Sequence, residues 1–547
     1  VLDNCEHLVP SCAALVERLL RDCPLIRIVA TSREALAIAG ETAWRVPSLS
    51  LPDGPAGASS EHGDRSEAIE LFVERARAVL PNFALTGDNG PAVAEVCRRL
   101  DGMPLAVELA AARVTLLAPD QIVTRLDNSF RLLSTGSRSA PTRQQTLRAT
   151  VAWSYNLLSA DEQHLFDRLS VFAGGWTLEA VEAVGSGDGL ETSEILDLLG
   201  RLVAKSLVVA EPGGEGAVRY RLLETLRQFA QERLPVRGES ADVAWRHAAY
   251  FMRYAEEAMR AAFGPQEPLA VRRLATEQEN VRAALRWLIA TGAVDQAQRL
   301  GGAFGMFWFV RSALAEGQAW LTELLTVPGG EQPTAGRAQC LFCAALLAQS
   351  RGDFVAARAL GEEALAIWRR LGSDWHTARA LFLLGSVMRI EGDFAVARTL
   401  LEEAAALSHA ASNYGIEATS LVGLADLATS QGDFQTARDS AEAARARAAA
   451  IGWGRVLVPA LRALADAYFE QGDDRSARMV AEECVGTARS QKLAPWFLIP
   501  PLVSLGRVAT AQRDFALAHT ALGEALTLAR TIGDRSGGAA ALYARAY

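Results

Sequence analysis

With 547 residues, the chain is too long for one hydrophobic core and predicts about three or four domains. Half of its residues are apolar and 22% are charged, which excludes a disordered polymer, and no apolar run reaches the roughly 18 residues needed to cross a bilayer. The balance of 55 basic against 64 acidic residues leaves a net charge of −9 and no general attraction to nucleic acid.

Cysteine and lysine usage narrow the chemistry further. The seven cysteines are an odd, dispersed set, which fits a reducing cytoplasm. Cys340 and Cys343 form a lone CxxC pair without a second pair or a histidine at ligand spacing; they read as small core residues on one helix face rather than as a zinc site. Lysine occurs only at Lys205 and Lys492. A P-loop needs its lysine directly behind a glycine-rich turn, to reach the β- and γ-phosphates, and neither lysine follows one. The chain therefore contains no Walker A motif.

In chain order, Val1-Leu2-Asp3 reads as the end of an apolar strand with an aspartate at its tip. Helical spacing of Leu8, Val9, Cys12, Leu15, Val16, Leu19 and Leu20 follows, and then an apolar strand over 25–31 that closes on Thr31-Ser32-Arg33. Strand, helix and strand with a short return make a parallel crossover, which predicts the tips carrying Asp3 and Arg33 on one sheet edge. Residues 52–66 are rich in Pro, Gly and Ser and read as a linker. Residues 67–133 read as helical, interrupted at Gly102-Met103-Pro104, where glycine ends one helix and proline starts the next. The arginines of 131–148 sit in a polar loop, read as a solvated linker. From 147 to 234 the pattern is three helices and then a hairpin, with strands over 206–210 and 218–222 around the turn Pro212–Gly216. That pattern predicts a winged helix. Residues 188–202 are acidic, which favours packing over DNA reading.

The segments LDNCEHL, IVATSRE, WRVPSLSLP, CRRLDGMPLAVELAA and TLRATVAWSYNLLSADEQHLFDRLSVF, in this order, resemble the STAND-class (NB-ARC-like) regulatory ATPases found in large LuxR-type and AfsR-type bacterial transcriptional regulators. The resemblance implies a partial P-loop α/β sheet over 1–51, a linker over 52–66, a helical domain over 67–146 and a winged-helix domain over 147–235. Asp3 would correspond to the Walker B aspartate that directs Mg²⁺, Arg33 to the arginine that meets the γ-phosphate, and Pro104 to the proline packed on adenine. Asn4 stands where many relatives carry a second acid, leaving Glu6 as the candidate to polarise water. Arg219–Glu224 offers no counterpart to the histidine by which some relatives lock ADP.

The second half of the chain is periodic. Gly352-Asp353-Phe354 recurs at Gly392, Gly432, Gly472 and Arg513, at spacings of 40, 40, 40 and 41 residues. A fixed period of this size predicts a solenoid. Seven residues before each marker stands Ala345, Gly385, Ala425, Ala465 or Gly506; five after the first residue of each stands Ala357, Ala397, Ala437, Ala477 or Ala518. Small residues at both places let the two helices of a hairpin approach closely. The array over 337–547 resembles lengthened tetratricopeptide (TPR) repeats, with 236–336 a connector holding degenerate units. Most of the eleven tryptophans fall in this half, where core packing accounts for them more readily than a ligand groove does. The final unit begins a first helix at Gly537, and with no initiator methionine at the start, both ends read as cut.

The expected fold class is accordingly mostly α: a partial P-loop sheet, a helical domain and a winged helix, then an α-solenoid. The expected function is part of a cytoplasmic ATP/ADP-switched signal-transduction regulator whose TPR array senses a protein or small-molecule inducer. The alternative is an interaction scaffold with a vestigial nucleotide module. Enzymatic activity, a bound cofactor and membrane attachment are not expected of this segment. ATP or ADP with Mg²⁺ belongs to the whole protein, DNA binding to an output domain elsewhere, and self-association remains open.

Overall fold

The computed structural model describes residues 1–547 apart from Asn4, Glu6, His7, Pro24, Arg33, Arg45, 53–65, 127–146, 262–265, Ser312, Gly533 and Tyr547. Two of the sequence-derived site residues, Glu6 and Arg33, therefore lie outside the described residues, as do nearly all of the two linkers. The chain divides into two units, Val1–Tyr250 and Phe251–Tyr547.

The first unit opens with α1 (Val9–Asp22), entered through a proline in its first turn and centred on buried Val16. Against it, Leu2 and Ala30 form one parallel bridge, in which Leu2 N–H donates to Val29 O at 2.8 Å and Thr31 N–H to Leu2 O at 2.9 Å. The apolar run over 25–31 thus makes a bridge and not the expected strand, because the partner stretch at Leu2 supplies hydrogen bonds for one rung. Leu25 and Val29 consequently stay exposed. Next come α2 (Glu67–Val79), α3 (Gly90–Arg99), α4 (Pro104–Ala111) and α5 (Pro119–Arg125). Phe72, Val93, Val96, Val107 and Ile122 are buried in these helices.

The winged helix comprises α6 (Leu147–Asn156), α7 (Ala160–Arg168), β1 (Gly175–Trp176), α8 (Leu178–Gly185), α9 (Thr192–Ala204), β2 (Val209–Pro212), β3 (Val218–Arg221) and α10 (Glu224–Arg233). Its sheet is antiparallel in the order β1-β3-β2, with Arg221 facing both Gly175 and Val209. The first wing strand starts three residues later than its apolar run. Ser206 takes a left-handed φ of +57° that ends α9, and Leu207 and Val208 are buried in the core before pairing begins. The two-residue strand β1 was not anticipated from the sequence.

After α11 (Ser240–Ala261), every regular element among the described residues of the second unit is a helix: α12 (Glu267–Thr276), α13 (Gln278–Ala290), α14 (Val294–Val310), α15 (Leu314–Thr326), and then the repeats. The apolar run Leu300–Val310 belongs to α14, with Leu300 through Trp308 buried. No described helix is long and apolar enough to cross a membrane. The repeat hairpins pair α16 (Ala335–Ser350) with α17 (Phe354–Leu371), α18 (Asp374–Glu391) with α19 (Phe394–Ala410), and α20 (Tyr414–Ser430) with α21 (Phe434–Ile451). The series continues with α22 (Gly454–Glu470) and α23 (Asp474–Ser490), then α24 (Pro495–Ala511) and α25 (Phe515–Ile532), and α26 (Arg535–Ala546) follows.

Each marker does two jobs at its hairpin turn. Gly352, Gly392, Gly432 and Gly472 take φ between +76 and +87°, which closes the first helix, and Arg513 does the same at +61°. The following aspartate then caps the second helix: the carboxylate of Asp353 accepts from Ala356 N–H at 3.1 Å, and that of Asp473 from Ser476 N–H at 3.1 Å. The small residues meet across the hairpin as expected. Ala345, Ala357, Ala397, Ala425, Ala437, Ala465 and Ala477 are fully buried. A Cβ on Gly385 would lie 2.7 Å from Leu401 Cγ, and one on Gly506 2.5 Å from Leu522. Cys340 and Cys343 are buried in α16, their thiols against the carbonyls of Gln298 and Gly302 at 3.1 and 3.6 Å.

Candidate functional site

In the first unit, Asp3 follows the Leu2 rung, exposed, and its carboxylate accepts a hydrogen bond from the Thr31 hydroxyl. The parallel bridge therefore brings Asp3 beside the end of the 25–31 run, on the same edge. Pro104 is the first residue of α4 and exposed. The turn before it is tied in two directions. Gly102, at φ +61°, accepts from Leu49 N–H at 3.1 Å, so closely that a side chain there would collide with the Leu49 carbonyl. Asp101 accepts from Glu224 N–H at 2.6 Å, at the start of α10, and pairs with Arg221 on the wing at 3.4 Å. Burial, the largest influence, raises the Asp101 pKa despite these donors. The Gly-Met-Pro turn is thus a junction between the helical segment and the winged helix, a role its sequence did not disclose.

The winged helix is held by buried ions. Arg168 has no exposed surface; its guanidinium donates to Glu239 at 2.8 Å and to the carbonyls of Gly185 and Gly187 at 2.7 and 2.6 Å, closing the end of α8. Glu239 also faces His164 at 2.7 Å. Burial opposes ionisation of Glu239, but hydrogen bonds from Arg168 and His164 prevail and hold its pKa below the usual value. At the end of α9, Arg201 and Lys205 both bond to buried Glu162, at 3.1 and 2.8 Å. These are the basic groups a phosphate contact by α9 would use; both are paired with Glu162, Lys205 largely covered and Arg201 half exposed.

The second unit carries a cavity of about 810 Å³, within the range of small-molecule sites. Glu256 and Arg260 of α11, Gln339 of α16 and Trp368 of α17 line it, together with residues at the starts of three first helices, among them Ser373, His376, Asn413 and Trp453. Helix caps explain the placement. Asn413 holds the start of α20 by accepting from Ile416 N–H at 3.2 Å, and Ser373 and Trp453 occupy the same position on α18 and α22. The His376 ring stacks on Trp368 at 3.9 Å and bonds Ser373 Oγ through Nδ1 at 2.7 Å. Burial, then the charge of Arg379, lower the His376 pKa to about 3, so the ring is neutral near pH 7. Arg379 lies between the rings of Phe342 and Trp375, at 4.2 and 4.5 Å from their centroids, and its burial lowers its pKa to about 9. Trp453 is fixed by its indole N–H, which donates to buried Glu267 at 2.9 Å; Arg455 pairs with the same carboxylate at 3.1 Å.

Of the tryptophans noted in the sequence, Trp368, Trp375 and Trp453 face this cavity, while Trp308 is core and Trp496 stacks on Phe309 at 4.7 Å. His376 and Gln339 were missed, since a single His or Gln in a helix carries no periodic signal.

Comparison with known proteins agrees with the two architectures. Residues 158–235 match the family described as a winged helix-turn-helix domain, and residues 339–533 the MalT-like TPR region. A "putative HTH-type transcriptional regulator" of Mycobacterium tuberculosis is 44% identical over 388 residues, which cover 70% of this chain and 42% of that protein. An uncharacterized protein of the same species is 44% identical over 265 residues, covering 48% of this chain and 64% of its own length. Among solved structures, the STAND protein with a tetratricopeptide repeat sensor from Pyrococcus horikoshii aligns over 100% of this chain and 79% of its own, with 13% identity and a TM-score of 0.44. A Rap protein complexed with competence and sporulation factor aligns over 52% of this chain and 78% of its own, at 12% identity and 0.42. The chain thus spans less than half the length of the curated regulator it matches. It combines a winged helix-turn-helix domain with a MalT-like TPR region and is homologous to proteins named as HTH-type transcriptional regulators.

Proposed function

We propose that this chain is the sensing and switching part of a transcriptional regulator, in which the TPR solenoid binds an inducer and the preceding module responds to ATP or ADP. The observation that carries this reading is the cavity in the second unit, whose wall is assembled from polar and aromatic side chains of successive repeats. A core-packing role for those repeats would need no such opening.

The nucleotide half of the proposal rests on Asp3, Arg33 and Pro104. A single exposed carboxylate at a parallel bridge fits Mg²⁺, which takes most of its ligands from phosphates and water and only one or two from protein. Asp3 would hold the ion, which would neutralise phosphate charge; Arg33 would meet the terminal phosphate and Pro104 pack on the base. Without a Walker A lysine the chain is proposed to be no ATPase by itself, with Glu6 the candidate water-polarising residue in the whole protein. Micromolar binding of Mg-ATP to residues 1–547 in a calorimeter would contradict that part. DNA reading is assigned away from α9, because residues 188–202 are acidic and both Arg201 and Lys205 pair with Glu162.

The sensing half is tested by hydrogen exchange of the full chain with and without the small-molecule fraction of a culture of the organism that encodes it. Slowed exchange confined to the starts of α18, α20 and α22 is expected. Identical exchange in both samples would refute an inducer site in this cavity.

A further inference from the structure

The cavity wall is specific enough to name a ligand class, an inference that rests on the sensing reading above. Its aromatic side presents rings in two orientations: Trp375 meets His376 edge-on at 4.5 Å, and His376 lies flat on Trp368 with 12° between planes. Flat, uncharged rings of this kind are matched by another planar ring, with stacking as the attractive contact. The charges are not balanced. Glu256 is matched by Arg299 at 2.8 Å, whereas exposed Arg260 has no carboxylate partner among the described residues. The site therefore attracts an anion.

Gln339 adds a third requirement. It is 6% exposed, its amide N–H₂ rests against Cys343 Sγ at 3.4 Å and Met259 Sδ at 3.7 Å, and its Oε1 has no hydrogen-bond partner. A buried acceptor left in this state is costly, and a turn of the amide toward the cavity that Gln339 lines would let an N–H or O–H donor from a ligand relieve it.

We propose that this cavity binds a small aromatic carboxylate of one or two fused rings, its ring against Trp375, His376 and Trp453 and its carboxylate at Arg260. A ring N–H or O–H on that ligand donates to Gln339. The class excludes neutral sugars and extended peptides, since neither presents one flat ring and one anion together.

The test uses the full chain and three probes in isothermal titration. Indole-3-acetate supplies ring, N–H and carboxylate; indole-3-acetamide lacks the charge; cyclohexylacetate lacks the flat ring. Sub-millimolar binding is expected for the first, with the other two weaker by about tenfold or more, the worth of a charged hydrogen bond or an aromatic contact. Arg260→Ala should weaken indole-3-acetate by about tenfold and leave the amide unchanged; because Arg260 is exposed, the variant keeps its fold. Arg260→Lys should recover part of the loss. Equal affinity for acid and amide overturns the anion assignment while leaving the cavity a ligand site. Equal affinity for indole-3-acetate and cyclohexylacetate overturns the ring assignment. No heat from any probe overturns the ligand class, and the sensing reading then stands or falls on the hydrogen-exchange experiment with the extract.

Discussion

Replacing Arg513 by glycine should stabilise the solenoid. Four of the five hairpin turns place glycine at φ +76 to +87°, and the fifth places Arg513 at +61°. An L-residue in the left-handed region costs about 1–2 kcal/mol relative to the right-handed one. Glycine avoids that cost but loses up to about 1 kcal/mol more backbone entropy on folding. The Arg513 side chain is exposed, so little packing is forfeited. The difference is a gain of about 0.5–1 kcal/mol for Arg513→Gly. The reciprocal change, Gly432→Ala, forces a Cβ into the same backbone region with no neighbour within 4 Å, so only the backbone term acts, and the loss is about 1 kcal/mol. Because a solenoid opens locally, native-state hydrogen exchange is the suitable assay. Amides of α24 and α25 should exchange two- to fivefold more slowly in Arg513→Gly, and those of α20 and α21 faster in Gly432→Ala. Slower exchange in both variants, or no change in either, would refute the claim that the left-handed residue limits turn stability.

Three further outcomes follow from packing and ionisation. Gly506→Ala should destabilise by about 1–2 kcal/mol, since its Cβ would meet Leu522 at 2.5 Å, whereas Gly523→Ala, with nothing within 4 Å, should stabilise by up to about 1 kcal/mol; thermal melts of the pair give opposite shifts if the close hairpin contact is as described. Arg168→Ala empties a buried site, leaves half-buried Glu239 with His164 and strips the carbonyls of Gly185 and Gly187 of their donor, a loss of about 2–4 kcal/mol, read as early unfolding of the winged helix in urea. His376 binds its proton at pH 6.5 when unfolded and at about 3 when folded, so stability is full above pH 6.5 and declines on acidification through that window by at most about 1.4 kcal/mol per pH unit. Denaturation of wild type and His376→Phe at pH 7 and pH 5 should show a smaller decline in the variant; parallel declines would contradict a neutral, buried ring.

Local chemistry made the repeats legible and left the cavity hidden. A Gly-Asp pair at a hairpin turn states two requirements at once, a left-handed residue and a cap, and both are satisfied within six residues of the marker. Alanine and glycine at fixed offsets report a close helix contact in the same local way. The cavity gathers Arg260, Gln339, Trp368, His376 and Trp453, nearly two hundred positions apart, and no local pattern joins them. Nor can spacing tell Trp453, which faces the cavity, from Trp308, which is core. In the first unit, the run over 25–31 has the composition of a strand but pairs at one rung, and the Gly-Met-Pro turn gives no hint that Asp101 reaches the wing, since a pairing partner 120 residues away leaves no trace in either segment.

The period itself explains how such a site is built. Ser373, Asn413 and Trp453 lie 40 residues apart, as do Gly336, His376 and Ile416, and each of these six residues lines the cavity. Successive repeats thus present equivalent first-turn positions to one space. The scaffold residues at other positions stay alike, because Ala345, Ala425 and Ala465 must all fit the same close hairpin contact. The cavity positions are released from that constraint and differ completely: a hydroxyl, an amide and an indole in one row; hydrogen, imidazole and an aliphatic chain in the other. Packing alone would favour similar side chains at equivalent places in similar hairpins. Their divergence here, beside glycine at four of the five turns and only alanine or glycine at the small-residue contacts, is what a repeat array looks like when one face is shaped by something other than its own folding. Exchanging His376 and Ile416 would keep the composition of that row and the hairpin contacts while moving the ring away from Trp368, so it should spare the stability of the array far more than its affinity for a ring-bearing ligand.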